Sequence, residues 1–558
     1  MREKVFFIIL LFLIVLIFWL RTNNTIVHIS PTYDEALHLI QGYSYLKTNS
    51  TNIIRRDDQP VLAKIIGAFP LLFLKPSLGL FTSHTYWLNR QRYSFANIML
   101  YYNTHNPEVI MNLGRRSIIV VSILFGIAMF FIISKKLNNL AGMLFVLLYF
   151  FNASILAHSC LVTQDLVGAI FYFLSIYTFC YFFKTKSVKC NILCGIFTGL
   201  LMVTKYTVVV LLFSFVVLCS YFWYIKEMKF KHILAFLLFQ ILGILVIGII
   251  VYNYNISELF AGLFRVLSIV QEGRQTFFFG KYSNFGFKFY FPVLFLVKTE
   301  IPLLLLFFTS LILSSYKILK NKDFDEEFIF IAGIFIYIIV ASFSKMQIGH
   351  RHLLPIYPMI FYLICLNFYN FKKFSFPYYL FVSWLVIIST KAHPWYLSYF
   401  NELIGGSKNA WKYFTDSNID WGQGLKELGE WLKKNPEIKG IYLSYFGTAD
   451  PNFYGIKYKP IGFVSNLQNE ERVGHDIIKD GYDRVIIAVS VTNLQSTYYK
   501  DKTVFNFLKK LTPIFVAADS IFVYELTNKQ KELKEFITLL RKIGYYEDIN
   551  YISKKFLT

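Results

Sequence analysis

Three acidic sites in the sequence carry side chains that can do acid–base chemistry. Asp34 and Glu35 lie side by side in the stretch PTYDEALH, just after the first apolar segment. Asp58 lies in the stretch DDQP, and Asp165 ends the stretch HSCLVTQD. A carboxylate within hydrogen-bond reach of a hydroxyl group can take its proton. For Asp34 and Glu35 a structural role is equally open, because carboxylates also complement the positive end of a helix dipole.

Basic residues accompany these acids along the chain. They are Lys64, Arg274, Lys298, and the adjacent pair His350 and Arg351. Such cations can bind a phosphate group, although Lys and Arg near a membrane also extend to lipid headgroups with no further role. His38 follows Asp34 by four residues, so both face the same side of a predicted helix. A lone histidine at this spacing is more often a hydrogen-bond partner than a ligand.

The composition indicates which elements must hold these residues. Of the 558 residues, 56% are hydrophobic, in long apolar blocks, and the mean hydropathy is +0.48. These values exclude an ordinary soluble protein and predict a polytopic α-helical membrane protein. The net charge is +22, and much of the excess of Lys and Arg lies in short loops. The positive-inside rule for membrane proteins explains this excess, so a nucleic-acid partner is not needed to account for it. All six cysteines lie within or beside apolar segments, so neither a disulfide framework nor a zinc site is indicated.

The apolar blocks predict about eleven transmembrane helices with a cytoplasmic N-terminus. The spans are expected near 5–20, 115–133, 140–157, 166–183, in two short crossings within 190–224, and near 233–252, 291–314, 328–343, 353–370 and 376–391. The interruption at Thr204-Lys205-Tyr206 separates the two short crossings and places Lys205 near the outer face. Residues 21–112 and 253–290 are then long external loops. All three acidic sites fall on that external side.

Residues 393–558 are expected to form a separate extracytoplasmic α/β domain after the transmembrane part, residues 1–392. Charged residues become frequent there, and no apolar run is long enough to span a membrane. The periodicity predicts an amphipathic helix over 421–434, buried strands over 440–446 and 484–491, and a hairpin over 513–526 around Asp519-Ser520.

The stretch DSNIDWGQ in this region has two interpretations. Asp416, Asn418, Asp420 and Trp421 can bind a sugar, because an aromatic face stacks on a pyranose while carboxylate and amide groups take its hydroxyls. Alternatively, Asp420 caps the N-terminus of the amphipathic helix that follows. The second interpretation is favoured, and the first stays open because the stretch lies close to the membrane.

Seven stretches, in this order, resemble a known family. They are PTYDEALH, DDQPVLAKIIGAFPLL, AHSCLVTQD, GLLMVTKYT, FFFGKYSNFGFKFYFPVLFLVKTEIPLLLL, IGHRHLLPIYP and YFNELIGGSKNAWKYFTDSNIDWGQGL. The chain resembles the bacterial and archaeal branch of the dolichyl-phosphate-mannose protein mannosyltransferase family, glycosyltransferase family 39 of the GT-C superfamily. The resemblance covers nearly the whole chain. It implies a GT-C fold and an inverting transfer of a mannose-type hexose from a polyprenyl-phosphate carrier to an acceptor hydroxyl outside the plasma membrane.

The resemblance also implies catalytic residues. The acidic pair of the family matches Asp34 and Glu35, and its acidic residue after the third span matches Asp165. Asp58 matches a further acidic position, although Gln59-Pro60-Val61 stands where many relatives have His-Pro-Pro. The implied base that takes the proton of the acceptor is Asp34.

Substrate-binding roles follow from the same implied reaction. The leaving phosphate needs a cation, for which Lys64, Arg274 and Lys298 are candidates. A divalent metal cation held by Asp165 with Asp34, Glu35 or Asp58 is a second option, although no ligand spacing requires one. The implied partners are a polyprenyl-phosphate sugar donor, membrane lipids, and a protein, glycan or lipid acceptor.

A transporter or flippase of lipid-linked sugars is the alternative function. It predicts ionisable or Gly/Pro-broken segments near the bilayer midplane and weakly repeated halves. Charged residues here avoid the middles of the predicted spans and cluster at their external ends. This distribution favours a surface active site, and hence a transferase.

Overall fold

Apolar helices build the chain up to residue 391 in a computed structural model, which describes residues 2–49, 59–78, 89, 91–321, 326–370, 375–462, 475, 477–478 and 481–557. The first helices are α1 (Arg2–His28), α2 (Glu35–Thr48), α3 (Leu62–Ala68), α4 (Leu71–Leu74), α5 (Arg92–Tyr101), α6 (Pro107–Lys136), α7 (Asn139–Phe151), α8 (Ala153–Ser159) and α9 (Gln164–Thr185). There follow α10 (Val188–Met202), α11 (Val208–Tyr224), α12 (Phe230–Val251), α13 (Ile256–Glu272), the hairpin strands β1 (Thr276–Phe278) and β2 (Lys281–Ser283), α14 (Tyr290–Lys298), α15 (Ile301–Asn321), α16 (Glu326–Ser342), α17 (Ile356–Asn370) and α18 (Ser375–Lys391).

Five of the described helices are long and apolar enough to cross a membrane, and a bent pair adds a sixth. They are α1, α6, α9, α12 and α15, with α7 and α8 meeting at 65°. The chain is therefore a multi-pass membrane protein, as its composition predicts. The shorter apolar helices α10, α11, α17 and α18 coincide with predicted spans, while the total of about eleven stays a prediction.

Two spans that were predicted as continuous, 140–157 and 291–314, are broken helices, and the same carboxylate lies at both breaks. Glu300, between α14 and α15, accepts hydrogen bonds from the backbone N–H of Ala153 at 2.5 Å and from Asn152 Nδ2 at 2.8 Å. Asn152 separates α7 from α8. The polar groups that are exposed at one break thus form hydrogen bonds with those at the other. An interrupted helix in an apolar core requires such partners for its polar groups.

Glycines allow the backbones of neighbouring helices to touch. A Cβ atom on Gly243 of α12 would lie 1.9 Å from the carbonyl oxygen of Gly195 on α10. A Cβ atom on Gly42 of α2 would lie 2.1 Å from the carbonyl oxygen of Lys64 on α3. Small residues at such crossings are typical of packing between membrane helices. The second contact seats α2, and with it the acidic pair, on α3.

A mixed sheet follows the helices. Its strands are β3 (Ile441–Ser444), β4 (Tyr458–Pro460), β5 (Ile486–Ser490), β6 (Phe515–Ala517) and β7 (Ile521–Glu525), with helices α19 (Leu425–Lys434), α20 (Gln530–Ile543) and α21 (Tyr546–Phe556). The strand order is β4-β3-β5-β7-β6, with β3 parallel to β4 and β5, and β7 antiparallel to β5 and β6. Both predicted buried strands and the predicted hairpin are present. That this region is a separate and external domain stays a prediction.

The start of the amphipathic helix differs from the prediction. Its first residue is Leu425, and Gly424 occupies the N-cap position. Asp420 is therefore not the helix cap, and that interpretation is wrong. A short 3-10 helix, Asp416–Asn418, precedes Asp420, and a buried loop lies between Asp420 and α19.

The loop before α19 is joined to the segment before α2 through the backbone. The N–H of Ser30 donates to the carbonyl oxygen of Gln423 at 3.1 Å, and the N–H of Tyr33 donates to that of Trp421 at 2.8 Å. These bonds bring the stretch DWGQ against the stretch PTYDE. The candidate active site lies at this junction.

Candidate active site

Asp34 is the accessible carboxylate of the acidic pair. It occupies the N-cap position of α2 without a capping hydrogen bond from its side chain, so the carboxylate is directed elsewhere. Its Oδ1 accepts a hydrogen bond from the hydroxyl of Tyr93 at 3.0 Å, and its Oδ2 lies 3.7 Å from Arg351 Nη1. The side chain is 22% exposed, against 2% for Asp165. A substrate hydroxyl can therefore reach Asp34 from solvent.

Asp165 lies in the first turn of α9 and is paired with two cations. Its Oδ1 accepts a hydrogen bond from Lys205 Nζ at 2.6 Å, and its Oδ2 lies 3.9 Å from Arg351 Nη1. Lys205 comes from the break between α10 and α11, and Arg351 from the short 3-10 helix His350–Leu353. No other described group forms a hydrogen bond to Asp165 Oδ2. One lone pair of this carboxylate thus remains available inside the protein.

These four side chains form a line of alternating charge, which we call the charge cluster. It runs from Asp34 through Arg351 and Asp165 to Lys205. Two carboxylates and two cations leave it formally neutral. Because the cations are almost fully buried, water screens them weakly, and they can act strongly on an anion that enters.

Trp421 holds Arg351 in place. The guanidinium carbon lies 4.1 Å from the centroid of the indole ring, in a cation–π arrangement. The indole is 2% exposed, and its backbone carbonyl is fixed by Tyr33. Arg351, which lies between the two carboxylates, is therefore in contact with a residue from the C-terminal part of the chain.

An apolar cavity of about 350 Å³ opens beside the charge cluster. Lys205 lines it, and so does His352 on the other side. The remaining walls come largely from aliphatic side chains of α11, α13 and α16, among them Val210, Leu263, Val266 and Val340. A ligand with an anionic head and an apolar tail fits this combination, because most ligand pockets are of this size and pair apolar walls with a few polar groups.

Residues 108–252 match the family model described as dolichyl-phosphate-mannose-protein mannosyltransferase. The sequence resemblance is thereby confirmed over this segment. Among solved structures, ArnT from Cupriavidus metallidurans bound to undecaprenyl phosphate is similar at 10% identity, a TM-score of 0.47, and coverage of 93% of this chain and 97% of that one. ArnT from the same organism in the apo state is similar at 9% identity, a TM-score of 0.45, and coverage of 94% and 98%. Curated protein sequences give no significant match.

The segment that matches the mannosyltransferase family carries half of the charge cluster. Asp165 and Lys205 lie within residues 108–252, whereas Asp34 and Arg351 lie outside it. The contacts of Arg351 with both carboxylates connect the matched segment to the flanking parts of the chain. The site thus combines three distant regions of the sequence.

Glu35 differs sharply from its neighbour. It is fully buried, and its two oxygens accept hydrogen bonds from Arg115 Nε at 2.9 Å and Nη2 at 2.8 Å. The same oxygens accept from the N–H of Val162 at 3.0 Å and of Thr32 at 2.8 Å. Arg115 in turn donates to the carbonyl oxygens of Ile26, Ile29 and Ser30. Glu35 therefore holds the end of α1, α6 and the loop before α9 together, which is a structural role.

Lys298 and His350 lie apart from the charge cluster and make internal contacts. Lys298 Nζ donates to the carbonyl oxygens of Leu397 at 2.7 Å, Tyr399 at 2.9 Å and Asn418 at 2.7 Å. An ammonium group has three protons, so these bonds use all of them. His350 lies 2.8 Å from the hydroxyl of Tyr357 through Nε2. Both side chains are buried, and their contacts favour a structural role.

Of the remaining candidates of the first predicted loop, His38 and Lys64 are also buried. His38 Nδ1 lies 3.1 Å from the carbonyl oxygen of Val162, and Lys64 Nζ donates to that of Gln59 at 3.1 Å. Asp58 lies outside the described residues. A substrate-binding role for these three residues stays a prediction.

Arg274 approaches the cluster from another direction. Its guanidinium carbon lies 5.3 Å from the centroid of the Tyr498 ring, and its charge interacts with those of Asp416 and Asp34. The hydroxyl of Tyr498 donates to Asp416. Of the DSNIDWGQ stretch, Asp416 and Trp421 thus border the candidate site.

The other two candidate residues of that stretch, Asn418 and Asp420, are buried. Asn418 accepts from the N–H of His350 at 2.9 Å and donates to the hydroxyl of Tyr290 at 2.8 Å. Asp420 Oδ2 accepts from the N–H of Thr492 at 2.9 Å. Burial raises the pKa of Asp420 to about 7. Neither residue is placed to touch a sugar.

A divalent metal cation at this site stays a prediction. Across the residues that the structure describes, no three His, Cys, Asp or Glu side chains lie close enough together to hold one. Arg351 Nη1 lies between Asp34 and Asp165, at the position that a bridging cation would need. The positive charge there is supplied by the protein itself.

Sequence reasoning missed the partners that give these acids their roles. In the sequence, Arg115 is the first residue of the predicted span 115–133, and Tyr93 lies in the predicted external loop 21–112 without a pattern that distinguishes it. Among these partners, Lys205 is the one that the sequence indicates best, because a lysine that interrupts a long apolar run costs free energy unless it is paired. Arg351 was identified as a candidate, but the stacking on Trp421 depends on a contact that spacing does not reveal.

Proposed function

We propose that this protein is an integral-membrane glycosyltransferase that uses a polyprenyl-phosphate sugar as donor. The observation that carries the proposal is that Lys205 belongs to the charge cluster and also lines the apolar cavity. The match of residues 108–252 to a mannosyltransferase family model supports it. By the same resemblance, the sugar is a mannose-type hexose, the acceptor group is a hydroxyl, and the site faces the outer side of the membrane.

The donor would bind with its polyprenyl chain in the cavity and its phosphate beside Lys205. Val210, Leu263 and Val266 offer aliphatic walls to the isoprenoid units. Lys205 and Arg351 then lie where negative charge grows on the phosphate as it leaves. Buried cations that are already in position stabilise such a charge without reorganisation.

Asp34 would serve as the general base. As the acceptor oxygen forms its bond to the anomeric carbon, its proton passes to the Asp34 carboxylate. The bond between that carbon and the phosphate oxygen breaks, and its electron pair stays on the phosphate. Attack opposite to the leaving phosphate inverts the anomeric configuration. Tyr93 orients the carboxylate through its hydrogen bond of 3.0 Å.

The test is transfer of radiolabelled sugar from a panel of polyprenyl-phosphate sugars in proteoliposomes of the full chain. Asp34→Asn is expected to lower kcat by about 10²- to 10⁴-fold, the usual contribution of a general base. Asp483→Asn changes the same chemical group at a side chain that is 89% exposed, and it should keep full activity. Full activity in Asp34→Asn would refute its role as base.

A second pair of variants examines the donor site. Lys205→Met is expected to raise the KM for the donor by about tenfold or more, since a charge-assisted contact to phosphate is lost. Lys531→Met, an exposed lysine on α20, is its control. If the lipid-linked sugar changes leaflet without being consumed, the protein is a transporter and the transferase proposal fails.

A further inference from the structure

A continuous row of aromatic rings starts beside Asp34. The Tyr93 hydroxyl donates to Asp34, and the Tyr93 ring meets the Tyr33 ring edge to face at a centroid distance of 5.7 Å. Tyr33 packs on Phe446 at 5.3 Å, and Phe446 stacks on Tyr498 at 5.7 Å. We call these four residues the aromatic row. It begins on α5 and ends at Tyr498, just after the short helix Val491–Leu494 that follows β5.

The rings of this row differ in accessibility. Tyr33, Tyr93 and Tyr498 are half-buried, whereas Phe446 is 5% exposed. Phe446 therefore supports its neighbours, and the tyrosines offer part of their surface to a ligand. Asp34 is also partly exposed, and an acceptor that reaches this carboxylate lies next to Tyr93, the first residue of the aromatic row.

Fixed polar groups lie at the far end of the row. Asp416 accepts hydrogen bonds from the Tyr498 hydroxyl and from the N–H of Ser417 at 2.6 Å, and Arg274 lies over the Tyr498 ring. Asp416 has a φ of 57°, a left-handed conformation that costs energy in residues with a Cβ atom. These contacts fix the Asp416 carboxylate, and they hold it and the Arg274 guanidinium beside the Tyr498 ring.

We propose that the aromatic row is the acceptor site and that the acceptor is a carbohydrate. Pyranose rings pack their C–H faces on aromatic rings, and their hydroxyls bond to carboxylate, guanidinium and phenol groups. Peptides that dock on aromatic-lined grooves are proline-rich segments, and other peptides pair with a strand edge, a hydrophobic groove or a backbone nest. This inference rests on the proposed transferase function and names the class of molecule that receives the sugar.

Direct binding tests the site independently of any reaction. The full chain in lipid nanodiscs is titrated with mannotriose and with maltotriose, and binding is followed by saturation-transfer NMR. Tyr33→Ala is expected to weaken binding about fivefold or more, while Tyr33→Phe, which keeps the ring face, binds within about twofold of wild type. Tyr546→Ala removes a tyrosine of α21 that is 64% exposed, and it should bind like wild type.

Transfer assays complete the test with one donor and two acceptors, mannotriose and a Ser/Thr-containing peptide. Tyr33→Ala should raise the KM for the saccharide about fivefold or more and leave the KM for the donor unchanged. Glycosylation of the peptide, with no saccharide bound or modified, would overturn the inference while the transferase function stands. If no donor is consumed but saccharides bind in a Tyr33-dependent way, the transferase proposal fails and the carbohydrate site stands.

Discussion

The guanidinium carbon of Arg351 lies 4.1 Å from the centroid of the Trp421 ring, and Arg351 Nη1 lies 3.7 Å from Asp34 and 3.9 Å from Asp165. The indole therefore decides where the guanidinium sits relative to both carboxylates. A side chain far along the sequence positions the charge at the centre of the cluster. Trp421 is in this sense a positioning residue.

Trp421→Phe is expected to lower kcat/KM by about 2- to 30-fold, because phenylalanine offers a weaker cation–π face and the contact is worth about 0.5 to 2 kcal/mol. The measurement is steady-state transfer with the fold checked by thermal unfolding. Trp431→Phe changes an indole that stacks on Phe515, away from the cluster, and should keep its rate. Equal losses in both variants would show that the effect is not specific to Arg351.

Loss of the charge on Glu35 is expected to lower stability, whereas loss of the charge on Asp34 is expected to lower activity. Glu35→Gln leaves Arg115 buried without its counter-ion, which costs about 3 to 5 kcal/mol and should lower the Tm markedly. Asp34→Asn lowers activity and keeps the Tm near that of wild type. Thermal unfolding in detergent compares the two variants. A Glu35→Gln protein with unchanged Tm and reduced kcat would assign Glu35 to the reaction instead.

Lys298→Met is expected to destabilise the protein and leave the donor KM unchanged in the fraction that folds. Each carbonyl oxygen that loses its partner costs about 1 to 3 kcal/mol when buried. Lys320→Met, on the exposed end of α15, is the matched control. A normal Tm together with a raised donor KM would restore Lys298 as a phosphate ligand.

Asp420 should make stability depend on pH. Burial raises its pKa to about 7 in the folded protein, above the value of 3.8 expected when it is exposed. The folded state therefore binds a proton that the unfolded state has released, and stability falls as the pH rises from about 4 to about 7. Asp420→Asn removes this proton exchange, so the Tm difference between pH 5 and pH 8 should shrink by a few degrees. An unchanged difference would show that Asp420 does not titrate there.

Much of this architecture is readable from the sequence because it follows from composition and local pattern. Apolar blocks identify the membrane helices, and short apolar runs identify the buried strands β3 and β5. The interruption at Lys205 predicts the break between α10 and α11, which is present. Local patterns fail where a distant group decides the conformation, as Glu300 does at the break between α7 and α8.

The site is less predictable than the fold, since adjacent residues with the same chemistry have different surroundings. Asp34 and Glu35 are both acidic, yet one is partly exposed and the other is fully paired with Arg115. Lys298 and Lys205 both interrupt apolar runs. Only their partners distinguish them: Lys298 donates to backbone carbonyl oxygens, whereas Lys205 pairs with Asp165 in the charge cluster. Partners of this kind depend on tertiary contacts, which spacing along one chain does not specify.

The backbone bonds from Ser30 to Gln423 and from Tyr33 to Trp421 have a consequence for biosynthesis. A ribosome that has completed all the membrane helices up to Lys391 has not yet made the indole on which Arg351 rests. The nascent chain at that stage holds both carboxylates but no fixed guanidinium between them. Completion of the charge cluster is therefore a late event in synthesis, and the protein acquires its site only after the lipid-facing part is in place.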